Sequence, residues 1–309
     1  MSQDVTSLPV GYEKEIIMYP LGFEEYLWAR GYDDSATELL KQVFSLSLPL
    51  DSGIIALYTQ LLHEFMMIGG LPAAVNAFIG ENSLDAVRSV QNDILRLNIQ
   101  DIEKYSRNLD RERIRLALDG VVRQAGDEKK SFSYAQIEKG RSRARDFMPA
   151  VEWLKKAHLV YSSSSLTNID VPLSMYTEEK TERFYLYDIG MFFNWVSGDS
   201  ILLRNTILEN KRKGAAKGRF YEALAADLLH KNNHALYYYD IPQKLEIDFI
   251  IETDKAILPI EIKSGNNKAL SLSKLLSNSG IPKGIKFTES SFGVSDRIMT
   301  LPLFMAAFL

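Results

Sequence analysis

The chain has 309 residues, with 36 Lys and Arg against 40 Asp and Glu, a formal charge of -4 and no cysteine. That length points to two or three domains, and 46% hydrophobic with 25% charged residues match an ordinary globular protein. Disorder, collagen-like repeats and coiled-coil rods are excluded. The missing cysteines remove disulfide frameworks, thiolate zinc sites and cysteine nucleophiles, and fit a reducing compartment. Met1 to Val5 carry neither a basic nor an apolar signal region. The longest apolar stretch, Phe65 to Ile79, is broken by Gly69, Gly70, Pro72 and Asn76, so a cytoplasmic chain without membrane association is expected. Its mild acidity argues against indiscriminate coating of nucleic acid and leaves room for local basic patches.

In chain order, Glu15 to Tyr19 reads as a short apolar strand, and Pro20 to Leu27 starts a helix with acids in its first turn. Helical periodicity follows at 36–46 and 53–67, breaks at Gly69-Gly70-Leu71-Pro72, and returns as a long helix over 84–105. Val87, Val90, Ile94, Leu97 and Ile102 fall near one face of that helix. This helical unit, 1–108, cannot be a complete α/β nucleotide-binding domain.

The grammar changes over 109–170. A helix near 111–124 leads to a short one, Ala135 to Lys139. After the basic turn Gly140-Arg141-Ser142-Arg143 comes a longer helix, Ala144 to Ala157, and then a strand beginning at Leu159. Two helices joined by a tight Gly-containing turn and followed by a strand predict a winged helix-turn-helix. The serine run 162–165 and residues 168–172 are read as wing or linker.

The remainder, 171–309, is α/β. After a strand at Phe184 to Asp188 come a helix at 218–231, strands at 236–240, 245–252 and 256–263, a helix at 271–279 and a strand at 284–288. The expected fold class is therefore α+β, with a helical segment, a winged helix and an α-β-β-β-α-β domain.

The chemistry concentrates in one hairpin. Leu245 to Phe249 alternates, as does Leu258 to Lys263, and a reversal centred between Asp254 and Lys255 sets Asp248 opposite Glu261 and Glu246 opposite Lys263. With period two these four share one face, and Leu245, Ile247, Phe249 and Ile251 share the other with Leu258, Ile260 and Ile262. Opposed like charges are destabilising. A divalent cation between Asp248 and Glu261 would reverse that, and Mg²⁺ favours one or two carboxylates plus waters. Lys263 would then help deprotonate a metal-bound water. The plain alternative is a solvated hairpin with an ordinary Glu246–Lys263 salt bridge.

The full spacing, Asp248-x12-Glu261-x-Lys263, with Glu222 on a helix just upstream, resembles the PD-(D/E)xK nuclease core, whose element order is the same. The resemblance implies catalytic Glu222, Asp248, Glu261 and Lys263, with Mg²⁺ or Mn²⁺ on Asp248 and Glu261. A wider similarity runs through Tyr19 to Leu27, Gly69 to Pro72, Asp101 to Tyr105, Trp153 to Ala157, Tyr185 to Asp188, Gly218 to Glu222, and Glu246 to Phe249 with Ile260 to Ser264. These look like the C-terminal region of prokaryotic AAA-type ATPases that carry a nuclease-like C-terminal domain of unknown function. In that family a P-loop domain precedes this region. No G-x-x-x-x-G-K-[ST] occurs here, and Gly11-Tyr12 stands where relatives often have Gly-Arg. The chain is expected to lack the ATPase core and neither to bind nor to hydrolyse ATP.

Two basic runs are candidate nucleic-acid contacts: Lys139, Arg141, Arg143 and Arg145 at the start of the recognition helix, and Lys213 and Lys217 ahead of Glu222. Solvated surface is the plain reading of both. His230 and His234 have a helical metal-ligand spacing but no Cys or third His nearby. Two functions are therefore weighed. One is an ATPase accessory part with a DNA-binding winged helix and a metal-dependent nuclease. The other is a non-catalytic nuclease-like module that binds a protein partner.

Overall fold

The computed structural model describes residues 16–46, 49–105, 110–125, 131–138, 143–198, 200, 215–263, 268–289 and 291–309. Helices come first: α1 (Phe23–Ala29), α2 (Asp34–Leu46), α3 (Ser52–Ile68), α4 (Pro72–Glu81), α5 (Leu84–Tyr105), α6 (Arg111–Ala125) and α7 (Ala144–Lys156). Strands β1 (Val160–Leu166) and β2 (Thr177–Leu186), helix α8 (Ile189–Ser197) and helix α9 (Ala215–Lys231) follow. Then come β3 (Leu236–Ile241), β4 (Leu245–Glu252), β5 (Ile257–Ile262), α10 (Leu270–Asn278), β6 (Gly284–Thr288), β7 (Gly293–Ser295), β8 (Ile298–Pro302) and a 3₁₀ turn, Leu303–Phe308. The fold is mixed α+β, with the helices N-terminal to one mixed sheet. No single helix among the described residues is long and apolar enough to cross a membrane.

Local signals act as expected at the helix ends. Asp51 caps α3 by accepting from the Gly53 N–H at 2.7 Å, and α3 stops where Gly69 takes φ 73°. Pro72 occupies the first turn of α4, where its missing N–H costs nothing. Asp188 caps α8 through the N–H groups of Gly190 (3.0 Å) and Met191 (3.2 Å).

Among the described residues eight strands form one sheet in the order β2-β1-β3-β4-β5-β6-β8-β7. β1 pairs antiparallel with β2 and parallel with β3, so the hairpin following α7 is joined edge to edge with the C-terminal strands. The boundary read at 170/171 lies inside that hairpin. A large core runs from Phe23 of α1 to Phe308 and fills one side of the sheet. A smaller core on the other side packs Ile247 and Ile250 against Leu272, Leu275 and Leu276 of α10.

Four expectations need correction. Residues 16–19 form no strand, and Ile16, Ile17 and Met18 are exposed. Where a helix was read from Ala135, the described residues form only a 3₁₀ turn, Tyr134–Gln136, and Lys139 lies outside them. The Gln124 side chain accepts from Ser133 N–H (2.7 Å) and donates to its carbonyl (3.1 Å), which fixes the residue that precedes this turn. Leu97 of α5 faces solvent instead of sharing the buried face of Val87 and Ile102. Of the two readings of the serine run, wing or linker, the linker is not what forms. The run is β1, with Ser163 and Ser165 buried inside the sheet.

Candidate functional site

The site begins with an irregularity in β4. Tyr239 pairs with Ile247 but Tyr237 pairs with Ile250, so two residues, Asp248 and Phe249, oppose Tyr238 alone. This is a β-bulge, which re-aims side chains locally. Strict alternation is broken there. Leu245 and Ile247 pack with Ile250 in the smaller core, whereas Phe249 and Ile251 lie in the large one. The single apolar face expected for Leu245, Ile247, Phe249 and Ile251 is thus divided between the two sides.

The β4–β5 register follows the predicted reversal from Glu252–Ile257 to Phe249–Ile260. At the bulge the Asp248 carboxylate accepts from the Ile262 N–H at 2.8 Å. Burial pushes Asp248 up to about 7, and the charge of Glu222 adds to it, while the Ile262 N–H, Arg183 and Lys263 pull the other way.

Glu222, on α9, accepts from Arg183 Nη1 at 3.3 Å and from the Tyr185 hydroxyl at 3.1 Å. Arg183 also donates to Glu246 Oε1 at 3.0 Å and to the Asp248 backbone carbonyl at 3.4 Å, and its guanidinium lies 4.1 Å from the Tyr238 ring. Its side chain is 8% exposed. Burial acts against the charge, but Glu222, Tyr185, Asp248 and Glu246 outweigh it and raise the pKa, so Arg183 is a permanent cation here.

Glu261 is engaged elsewhere. Buried, it accepts from Lys263 Nζ at 2.7 Å and from the Leu272 N–H at 3.2 Å, in the first turn of α10, where the helix dipole favours a carboxylate. Burial opposes the Lys263 charge, but Glu261 first, then Asp248 and Glu246, hold it as ammonium. The expected quartet therefore resolves into two groups. Glu222 and Glu246 meet Arg183 beneath α9. Glu261 and Lys263 pair beside α10. Asp248 stands between them.

Each carboxylate expected at the metal site thus has a partner within the fold. Among the described residues no three His, Asp or Glu side chains are grouped to hold a metal ion. A guanidinium already supplies positive charge to the carboxylates nearest Asp248.

Of the basic candidates, Arg143 and Arg145 are exposed at the start of α7, while Lys139, Arg141 and Lys213 lie outside the described residues. Lys217 is not on the surface. It is buried against Glu289 at 2.8 and 3.0 Å, because α9 turns that face inward toward the loop after β6, so the expected phosphate contact is not offered. Glu289 also accepts from the Tyr221 hydroxyl (2.9 Å), which lies 2.6 Å from His63 Nε2. His230 stacks on Tyr161 at 4.0 Å, and burial, then Lys231 and His158, lower it to about 4. His234 Nε2 is 3.2 Å from the Leu309 carbonyl, so both histidines have partners within the fold.

Sequence reasoning overlooked Arg183 and Tyr185. The available signal was the period-two spacing of Arg183 and Tyr185 in the strand Thr177–Leu186, which puts both side chains on one face of the sheet.

The fold and site define an α+β protein whose helical layer covers a mixed sheet and whose acidic centre is closed by arginine. Residues 217–303 match a domain of unknown function (DUF4143) that is found in C-terminal regions of AAA-ATPase-like proteins. Residues 59–200 match a second domain of unknown function (DUF8612). No curated protein and no solved structure matches the chain.

Proposed function

We propose that this chain is an accessory, non-motor part of an AAA-type ATPase system, and that its sheet module works as a non-catalytic interaction module with a nuclease-like order of elements. The observation that carries this reading is Arg183. It draws Glu222 and Glu246 into internal ion pairs at 3.3 and 3.0 Å, while Glu261 is held by Lys263 and α10. Carboxylates consumed in this way are positioned to hold strands and helices together. The test is incubation of plasmid and single-stranded DNA with the purified chain and Mg²⁺ or Mn²⁺. Wild type and Asp248→Ala should be indistinguishable. Metal-dependent nicking that disappears in Asp248→Ala would restore the nuclease reading.

Nucleic-acid contact is a second reading, favoured by the exposure of Arg143 and Arg145 at the N-terminal end of α7. Cations there would meet phosphates if α7 serves as a recognition helix. The partner of the module is then DNA at α7, and otherwise a protein.

A further inference from the structure

We infer that Arg183 is the resident cation of the acidic centre, delivered across the sheet from the segment matched by one domain to the carboxylates of the other, so that the two matched domains build a single site. The inference rests on the non-catalytic reading of the sheet module and adds where its charge balance comes from.

The geometry is specific. Arg183 belongs to β2, at one edge of the sheet, and Glu246 belongs to β4, with β1 and β3 between them. The guanidinium reaches Glu246 by lying over the Tyr238 ring of β3. On β1 it passes Ser163, which pairs directly with Arg183, and near it Ser165 pairs with Tyr238. Both serines are buried, and the Ser163 hydroxyl has no hydrogen-bond partner. A buried hydroxyl without a partner is a cost, so the value of Ser163 lies in its size. It keeps a lane open for the long side chain. Tyr185, two residues along β2, adds a hydrogen bond to Glu222 from the same side. Arg183 and Tyr185 fall within 59–200, whereas Glu222, Glu246 and Asp248 fall within 217–303. The second segment alone would hold three half-buried carboxylates without Arg183, leaving Lys263, already paired with Glu261, as the cation facing them, an arrangement that disfavours folding.

The experiment uses the full chain with Arg183→Met, Glu222→Gln and both together, unfolded in urea at neutral pH. The double variant should lose no more of the urea midpoint than Arg183→Met alone, because removing one carboxylate relieves the missing cation. Additive losses would overturn the inference. In the same samples the Asp248 carboxyl, followed by carbon-detected NMR, should titrate at higher pH in Arg183→Met, and an unmoved midpoint counts against it. If Arg183→Met does not fold, Arg183→Lys and Ser163→Leu replace it. The first should retain part of the wild-type midpoint, and the second should lose midpoint without any change of charge. Wild-type melting should be the same in EDTA and in Mn²⁺. A Mn²⁺-dependent rise abolished by Asp248→Asn would mean that a metal, not Arg183, neutralises the centre. DNA cleavage alongside intact coupling would sink the non-catalytic reading and leave the Arg183 assignment standing.

Discussion

Gly69 and Asp188 share a space that admits no side chain at position 69, since a Cβ there would collide with the Asp188 carboxylate. Gly69 has φ 73°, ends α3 and brings the Gly70 N–H to 2.8 Å from Asp188 Oδ2. From the other side Gly190 presses in, and a Cβ on it would lie 2.5 Å from the Gly69 nitrogen. Two segments more than a hundred residues apart therefore close on one carboxylate.

Gly69→Ala and Gly190→Ala should each destabilise the protein by roughly 3 kcal/mol or more, combining backbone strain at position 69 with steric overlap at both. Gly280 is the control. Nothing lies within 4 Å of its added Cβ, and Gly280→Ala should change stability by about 0.5 kcal/mol or less. Urea unfolding measured side by side separates the cases. Equal effects at all three positions would refute the close-approach argument.

Lys231 is the counter-charge of this junction. Its ammonium lies 3.2 Å from Asp188 and 2.9 Å from Asp227, with all three side chains essentially inaccessible. Lys231→Met leaves two buried carboxylates without their cation and should cost about 3–5 kcal/mol. Adding Asp227→Asn should recover part of that loss. Chemical denaturation of the single and double variants checks it, and a double variant weaker than Lys231→Met would contradict the pairing.

Asp248 makes stability depend on pH in a defined direction. Its folded pKa is raised from 3.8 to about 7, so the folded state holds the proton more tightly than the unfolded chain. This contribution is full below 3.8 and is lost as pH rises through about 7. Asp248→Asn should therefore flatten the decline of melting temperature between these limits. A variant profile parallel to wild type across that window would show that Asp248 does not titrate there.

The basic candidates at the start of α7 and on α9 should behave differently toward DNA. Replacing both Arg143 and Arg145 by Ala should weaken binding of a short duplex and lower the salt-dependence slope by about 2, one unit per phosphate contact. Lys217→Met should leave affinity unchanged while destabilising the fold by about 3 kcal/mol, because Glu289 loses its buried partner. Fluorescence anisotropy across a salt series, together with thermal melts, reads both effects. If Lys217→Met weakens binding at unchanged stability, the assignment is reversed.

Much of the architecture was legible before any coordinates. Helices at 84–105 and 111–125 and strands at 245–252 and 284–288 lie within a residue of where periodicity places them. Long amphipathic runs with a cap or a glycine at their ends specify themselves locally. The segment read as a helix from Ala135 misled because Gln124, a residue of the preceding helix that no local pattern reveals, clamps the Ser133 backbone just ahead of it, and the chain turns there in a single 3₁₀ turn. The serine run misled for the opposite reason. Serines signal loops, yet these line a strand whose neighbours need a small residue.

For the site, residue types, spacing and hairpin register could be read from the chain because each depends on neighbours within about fifteen positions. Glu222, Asp248, Glu261 and Lys263 do come into one region of the sheet. Whether four such groups converge is another matter. A one-residue bulge divides a strand between two faces, and an arginine arriving from the far edge of the sheet decides which carboxylates are neutralised. Charge compensation acts through space, with no period along the chain. Local pattern therefore identified the acids, and long-range packing chose their partners.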